Sequence, residues 1–233
     1  LHVAASRGAW RDQATVENLR AILTAEVVPA EFSLRGIEAV VAAGSVSAAG
    51  EQAAGPVLRV QLHDWPAIRT AAAAQVDGEF VTAEVDAELD RQSARVRAEG
   101  RVSAALIARV LGRHTPRAAT YFGFADPVAF EGEGVLGPGW RFARAGGRVD
   151  AGRIDSRGVQ ITAARGRIDL AGTDFLAHDA RVEMTSSAAR GSYWMDFATT
   201  DYRMLLRGRL RPDDINGWFR GNWWPAFWAR YFD

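Results

Sequence analysis

The sequence predicts a mainly β protein: a long curved antiparallel sheet, arranged as a β-groove or open sandwich, with short capping α-helices and a repeated unit of about 108 residues. Three observations carry this expectation. Long stretches alternate apolar and polar residues with a period of two, as strands with one dry and one wet face do. Two such stretches run straight into capped helices, and the chain matches itself at a fixed offset.

Taken in order, Asp12 to Thr24 is the first candidate element; Val16, Leu19, Ala21, Ile22 and Leu23 suit a helix or a strand, and the context favours a strand. Phe32 to Val46 and Val57 to Leu62 read as strands punctuated by glycine. At Leu58 to Ile68 a strand meets Asp64-Trp65-Pro66, which predicts a short helix and a faint extra instance of the strand-to-helix unit.

The clearest pattern follows. Val81, Ala83, Val85, Ala87 and Leu89 face one way, while Thr82, Glu84, Asp86, Glu88 and Asp90 face the other. The next segment puts Val96, Ala98, Gly100 and Val102 on the dry face and Arg95, Arg97, Glu99 and Arg101 on the wet one. With Arg91-Gln92 as a two-residue connection, Glu88 lies opposite Arg95 and Asp86 opposite Arg97. Each such pair contributes roughly a few tenths of a kcal/mol and helps to fix register.

Ser103 then caps a helix whose stripe is Leu106, Ile107, Val110 and Leu111, and Gly112 is expected to end it. A second short helix starts at Pro116 and closes on Tyr121-Phe122. Gly132, Gly134, Gly137 and Gly139 read as turn and bulge residues, since no Lys or Ser/Thr follows in phosphate-loop spacing. Val149 to Ile161, Ile168 to Leu170, Ala180 to Met184 and Tyr202 to Leu210 are further strand stretches, and Arg167 to Met184 reads as two strands joined around Gly172-Thr173.

The repeat is visible by laying the chain on itself. Arg95-Val-Arg-Ala-Glu-Gly-Arg-Val102 matches Arg203-Met-Leu-Leu-Arg-Gly-Arg-Leu210, so that Gly100 falls on Gly208, an offset of 108. Ile107 falls on Ile215, and Val110-Leu111 on Trp218-Phe219. In the later copy Pro212 takes the first helical turn, Asp213 and Asp214 suit the positive end of the dipole, and Gly221 closes the helix. Another helix starts at Pro225 and ends in Tyr231-Phe232. The expected organisation is a β segment over 1–123 ending in short helices, and a second repeat over 124–233 ending in an aromatic-rich cap.

Composition narrows the function classes. The 28 basic residues, all Arg, balance 28 acidic ones, so no net field draws the chain to nucleic acid. There are no cysteines, hence no disulfides, thiolate metal sites or cysteine nucleophiles. No apolar run of about 18 residues and no signal-peptide pattern is present. The chain opens at Leu1 and closes on Phe232-Asp233, which reads as an excerpt of a longer protein.

No catalytic, metal or cofactor constellation emerges. His2, His63, His114 and His178 lack metal-ligand spacing. His63-Asp64 and His178-Asp179 are adjacent pairs, and neighbours in a regular strand point to opposite faces, which argues against acid/base partnership. One concentration stands out: Trp218, Phe219, Trp223, Trp224, Phe227, Trp228, Tyr231 and Phe232. Trp224, Phe227, Trp228 and Tyr231 share one helix face. It is either a cap over the end of a sheet or an interfacial, partner-binding surface.

The texture of Gly147 to Gly172 (GRVDAGRIDSRGVQITAARGRIDLAG), that of Phe32 to Val46 (FSLRGIEAVVAAGSV) and the strand-to-helix units resemble the AsmA-like and TamB-like envelope proteins of Gram-negative bacteria. That resemblance implies a long curved β-groove, periplasmic, in a parent protein anchored in the inner membrane by a helix outside this segment, acting in lipid transport and membrane biogenesis. It carries no catalytic residue over. The implied ligand is phospholipid or another acyl-chain molecule, with an envelope protein as a further partner, and the implied lipid-facing residues are Val81, Ala83, Val85, Ala87, Leu89, Val96, Ala98, Val102, Val182 and Met184. The physics agrees, since a sheet with one apolar face must cover it with another sheet or with acyl chains. The alternatives are a structural or partner-binding β domain and, after it, a polysaccharide-active enzyme; an outer-membrane barrel fits poorly because its charged face would meet lipid.

Overall fold

A computed structural model describes residues 1–10, 14–28, 33–48, 50–62, 66–219 and 230. The chain is mainly β and antiparallel, with short helices, as its alternation predicts. The strands are β1 (His2–Trp10), β2 (Ala14–Val28), β3 (Ser33–Ala42), β4 (Ser45–Ala48), β5 (Glu51–Leu62), β6 (Ala67–Val76), β7 (Glu79–Glu88) and β8 (Ser93–Val102). After α1 (Ala104–His114) and α2 (Pro116–Ala119) come β9 (Gly123–Phe124), β10 (Val128–Gly137), β11 (Arg141–Ala151), β12 (Ile154–Ser156), β13 (Val159–Ala171), β14 (Asp174–Met184), β15 (Ala188–Asp196), β16 (Tyr202–Arg209) and α3 (Pro212–Ile215).

Contacts divide the chain into two compact units. Unit 1 holds Leu1–Val102 and Glu131–Ala145; unit 2 holds Ser103–Phe130 and Gly146–Asp233. In unit 1 the strands neighbour one another in the order β1-β2-β3-β5-β6-β7-β8, with β4 bridging β2 and β5. In unit 2 the order is β13-β14-β15-β16, with β12 bridging β13 and β9.

The repeat extends far beyond the segment that reveals it. Val81↔Gly100, Ala83↔Ala98, Val85↔Val96, Asp86↔Arg95 and Ala87↔Ala94 are paired on β7 and β8. Ala189↔Gly208, Gly191↔Leu206, Tyr193↔Met204, Trp194↔Arg203 and Met195↔Tyr202 are paired on β15 and β16, each pair displaced by the same 108 positions. Val46↔Ala53 becomes Ile154↔Ile161, and Ala53↔Val76 becomes Ile161↔Met184. Strand bridging repeats too: Val16↔Val46 becomes Phe124↔Ile154.

Both repeat glycines are needed for the same reason. A Cβ on Gly100 would stand 2.8 Å from the Cα of Val81, and one on Gly208 would stand 2.7 Å from the Cα of Ala189. The partner backbone crosses where a side chain would be, so only hydrogen fits.

The β7–β8 hairpin has the predicted faces but not the predicted register. Asp86 lies opposite Arg95 and Glu84 opposite Arg97, because the connection is the four-residue turn Leu89 to Gln92, with Gln92 at φ +51°. Asp90 Oδ1 accepts from the Arg91 amide at 2.8 Å and stabilises that turn. A slip of two residues preserves every face, so alternation alone cannot detect it. Leu89 consequently belongs to the turn and leaves the strand face.

Other expectations are met in part. Asp12 to Thr24 is strand over its described part, from Ala14 onward, as the context favours. Asp64 and Trp65, where a short helix is expected, lie outside the described residues, and from Ala67 to Val76 the chain is strand β6, whose alanines are zipped between β5 and β7, so ladder hydrogen bonding overrides their helix propensity. Ser103 caps α1 as expected, its Oγ accepting from the Leu106 amide at 3.0 Å. Gly112 does not end the helix, which continues to His114 and stops at Thr115, where Pro116 forbids a further helical turn. In the second copy Pro212, Asp213 and Asp214 occupy the first turn of α3, which is only four residues long and passes into a 3-10 turn over Asn216–Trp218. Gly221 and Pro225 lie outside the described residues.

The buried core of unit 2 gathers Val128, Ala151, Ile154, Val159, Ile161, Met184 and Ile215. No helix among the described residues is long and apolar enough to cross a membrane.

Candidate functional site

Beside that core, unit 2 holds an open cavity of about 360 Å³ whose walls are almost wholly carbon. Its floor is the shared face of four strands. Ile168 on β13, Ala177 on β14, Tyr193 on β15 and Met204 on β16 form one row across it. Ala164, Val182 and Ala189 form another, in which Ala164 and Val182 line the cavity. Small residues at the centre of the floor leave the space that larger ones enclose at its ends. Ile107 and Leu111 of α1 form one side, and Trp218 closes another.

Rings crowd one end. Tyr193 stacks on Tyr202 with centroids 6.2 Å apart, and Phe122 and Phe175 meet Tyr193 edge-on at 5.9 and 6.4 Å. Such pairs contribute about 0.5–1.5 kcal/mol each beyond their buried area. Burial raises the Tyr193 phenol well above its ordinary pKa, so its hydroxyl stays protonated and is directed at the Met195 sulfur, 3.4 Å away.

Three arginines reach the lining of this apolar setting, Arg157, Arg165 and Arg181; Arg165 pairs with Glu183 at 3.8 Å, and Arg157 is the one set among the rings. Arg157 and Gly158 are the two central residues of the β12–β13 hairpin, at φ +57° and +87° between the paired Ser156 and Val159. Left-handed backbone costs a side-chain-bearing residue roughly 1–2 kcal/mol, offset here by Asp155 Oδ1, which accepts from the Gly158 amide at 2.9 Å. Gly217 lets the 3-10 turn close over the hairpin, since a Cβ there would meet Arg157 O at 2.7 Å. Trp218 Nε1 donates to Ser156 Oγ at 3.1 Å and fixes that closure.

From the turn, the Arg157 side chain reaches the cavity beside two adjoining phenol rings. Its guanidinium carbon lies 4.8 Å from the centroid of Tyr121 and 5.4 Å from that of Tyr202, and Nη1 donates to the Tyr202 hydroxyl at 3.0 Å. Nε is shielded from solvent and has no hydrogen-bond partner among the described residues. No carboxylate among the described residues forms an ion pair with this guanidinium.

The residues singled out in the sequence fall in several places. In unit 1, Val81, Ala83, Val85, Ala87, Val96, Ala98 and Val102 are half-buried. Those of β7 share one face with their partners on β8, and the described residues of this unit include no α-helix. Val182 lines the cavity of unit 2, whereas Met184 is packed in the buried core and is not among the residues that line it. Of the aromatic group, Trp218 and Phe219 pack against the core of unit 2; Trp223, Trp224, Phe227, Trp228 and Tyr231 lie outside the described residues, as does His63.

His178 departs from regular alternation. β14 carries a bulge between Ala177 and Ala180, with Asp179 at φ +51°. The bulge lets His178 Nε2 sit 2.8 Å from Asp169 Oδ2 while Nδ1 is 3.6 Å from Asp179 Oδ2. The side chains of Asp169 and Asp179 are 59% and 82% exposed, so the trio stands on an open surface. Among the described residues no group of three or more His, Asp or Glu is placed to hold a metal ion.

Arg157, Tyr121, Phe175, Tyr193 and Tyr202 were not singled out as site residues by the sequence. The signal was present in the repeat: carried through the register, Tyr193 and Tyr202 replace Val85 and Ala94. The fold and cavity define an antiparallel repeat protein with an open apolar cavity. The chain matches no family model, no curated protein and no solved structure.

Proposed function

We propose that the chain is a non-enzymatic, lipid-handling segment of a bacterial envelope protein, which takes up the acyl part of a phospholipid or related molecule and serves membrane biogenesis in the periplasm. The observation that carries this reading is the open cavity of unit 2, apolar on its strand floor, on α1 and at Trp218. A volume of about 360 Å³ lies in the range of ligand pockets, roughly 300–1,000 Å³. Each methylene moved from water into such a site contributes about 0.8 kcal/mol. The half-buried apolar face of β7 and β8 extends the same logic to unit 1.

The experiment is organic extraction of the purified, folded chain followed by mass spectrometry, together with titration by the neutral apolar dye N-phenyl-1-naphthylamine. Co-purifying lipid, or saturable dye fluorescence displaced by acyl lipids, supports the reading. A cooperatively folded preparation that is lipid-free and gives no saturable dye binding overturns it.

A further inference from the structure

We infer that the cavity of unit 2 selects a long-chain carboxylate, and that Arg157 is its headgroup-binding residue. The inference rests on the acyl-binding reading above and adds a polar end to it. An apolar chamber that took only neutral chains would gain nothing from a guanidinium in its wall, because desolvating a cation is costly unless it is paired. The two phenol faces offset part of that cost through cation–π attraction. Among the described residues no carboxylate pairs with the charge, and Nε has no acceptor.

The backbone points the same way. Arg157 occupies a left-handed position that Gly or Asn fills more readily, and the closure by Gly217 and Trp218 holds it there. A guanidinium presents paired N–H donors that match the two oxygens of a carboxylate. With Nη1 engaged by Tyr202 and two adjoining rings packed against the guanidinium, the remaining approach suits a compact planar headgroup better than a bulky phosphodiester. The acyl chain would then run from Arg157 along Ala177 and Ala164.

The test is dye displacement by oleate, oleyl alcohol and a phosphate-headed lipid of the same chain, lysophosphatidic acid, each on the wild-type chain and on Arg157→Met and Arg157→Lys. In the wild type, oleate should displace the dye at about tenfold lower concentration than oleyl alcohol, the size of one charge-assisted contact. Arg157→Met should erase that preference by raising the oleate concentration needed to about that of the alcohol, and Arg157→Lys should restore part of it. The wild-type comparison stands even where a variant fails to fold. Equal binding of oleate and alcohol by the wild type overturns the inference and leaves the acyl-binding reading intact, and so does preferential binding of lysophosphatidic acid. Failure of all three to displace bound dye removes both.

Discussion

Gly208 lies opposite Ala189 on β15 as Gly100 lies opposite Val81 on β7, so the glycine and its cross-strand partner recur together, 108 positions on. The duplication is therefore a property of the hydrogen-bonded ladder as well as of the letters.

Substituting either glycine should be costly. Gly100→Ala and Gly208→Ala each force a methyl against the partner strand, an overpacking that costs about 1–3 kcal/mol. Gly100 also has φ +147°, unfavourable for any side chain. Gly112→Ala is the control, with nothing within 4 Å of the added Cβ; inside α1 it should stabilise by up to about 1 kcal/mol. Urea unfolding of the three variants checks both signs.

The cap of α1 is open to the same approach. Ser103→Ala removes the bond to the Leu106 amide and should lower stability by about 1 kcal/mol, with Ser103→Asp retaining most of it. Because Ile107 and Leu111 line the cavity, the Ala variant should also weaken dye binding.

Acid should act through Asp126. Its carboxylate accepts from the Arg153 side chain at 2.9 and 3.1 Å and from the Arg153 amide at 2.8 Å, and these bonds hold its pKa at about 2 against an ordinary 3.8. A carboxylate with a depressed folded-state pKa contributes stability above its unfolded value and loses it as pH falls through the folded one. Asp126→Asn should therefore melt lower than wild type at pH 7, with the gap narrowing between pH 3.8 and about 2. Melting curves at stepped pH would show the convergence; a gap of constant size would contradict the assignment.

Filling the floor should block the chamber without unfolding the sheet. Ala177 lies beside Tyr193 in the cavity row, and Ala177→Trp should reduce dye affinity about tenfold or more while the far-ultraviolet spectrum stays that of the wild type.

Much of the fold is legible in the sequence because period-two alternation reports which face a residue takes. It reports faces and not partners, so the β7–β8 register comes out two residues away until the turn at Leu89 to Gln92 is known. The Gly172-Thr173 turn, by contrast, is read correctly, since Ala171 and Asp174 close a two-residue connection with Gly172 at φ +59°. His178 and Asp179 defeat alternation because a bulge adds a residue to β14 and turns both toward one region. The site is less legible than the fold. Arg157 gains its meaning from Tyr121 and Tyr202, which lie 36 and 45 positions away in the chain, and only the folded ladder brings the three together.

The register-matched pairs Val85↔Val96 and Tyr193↔Met204 occupy one frame with different occupants. Scaffold and selectivity are consequently written in separate alphabets: the ladder is addressed by position, and what it recognises by whichever side chain stands at each address. The chain carries its own donor sequence for rewriting its cavity, because a residue moved from one copy to its counterpart keeps its place in the ladder while its cross-strand neighbour changes, as Val96 gives way to Met204. Specificity can then change by exchange within a single gene, with the hydrogen-bonding pattern left as it was.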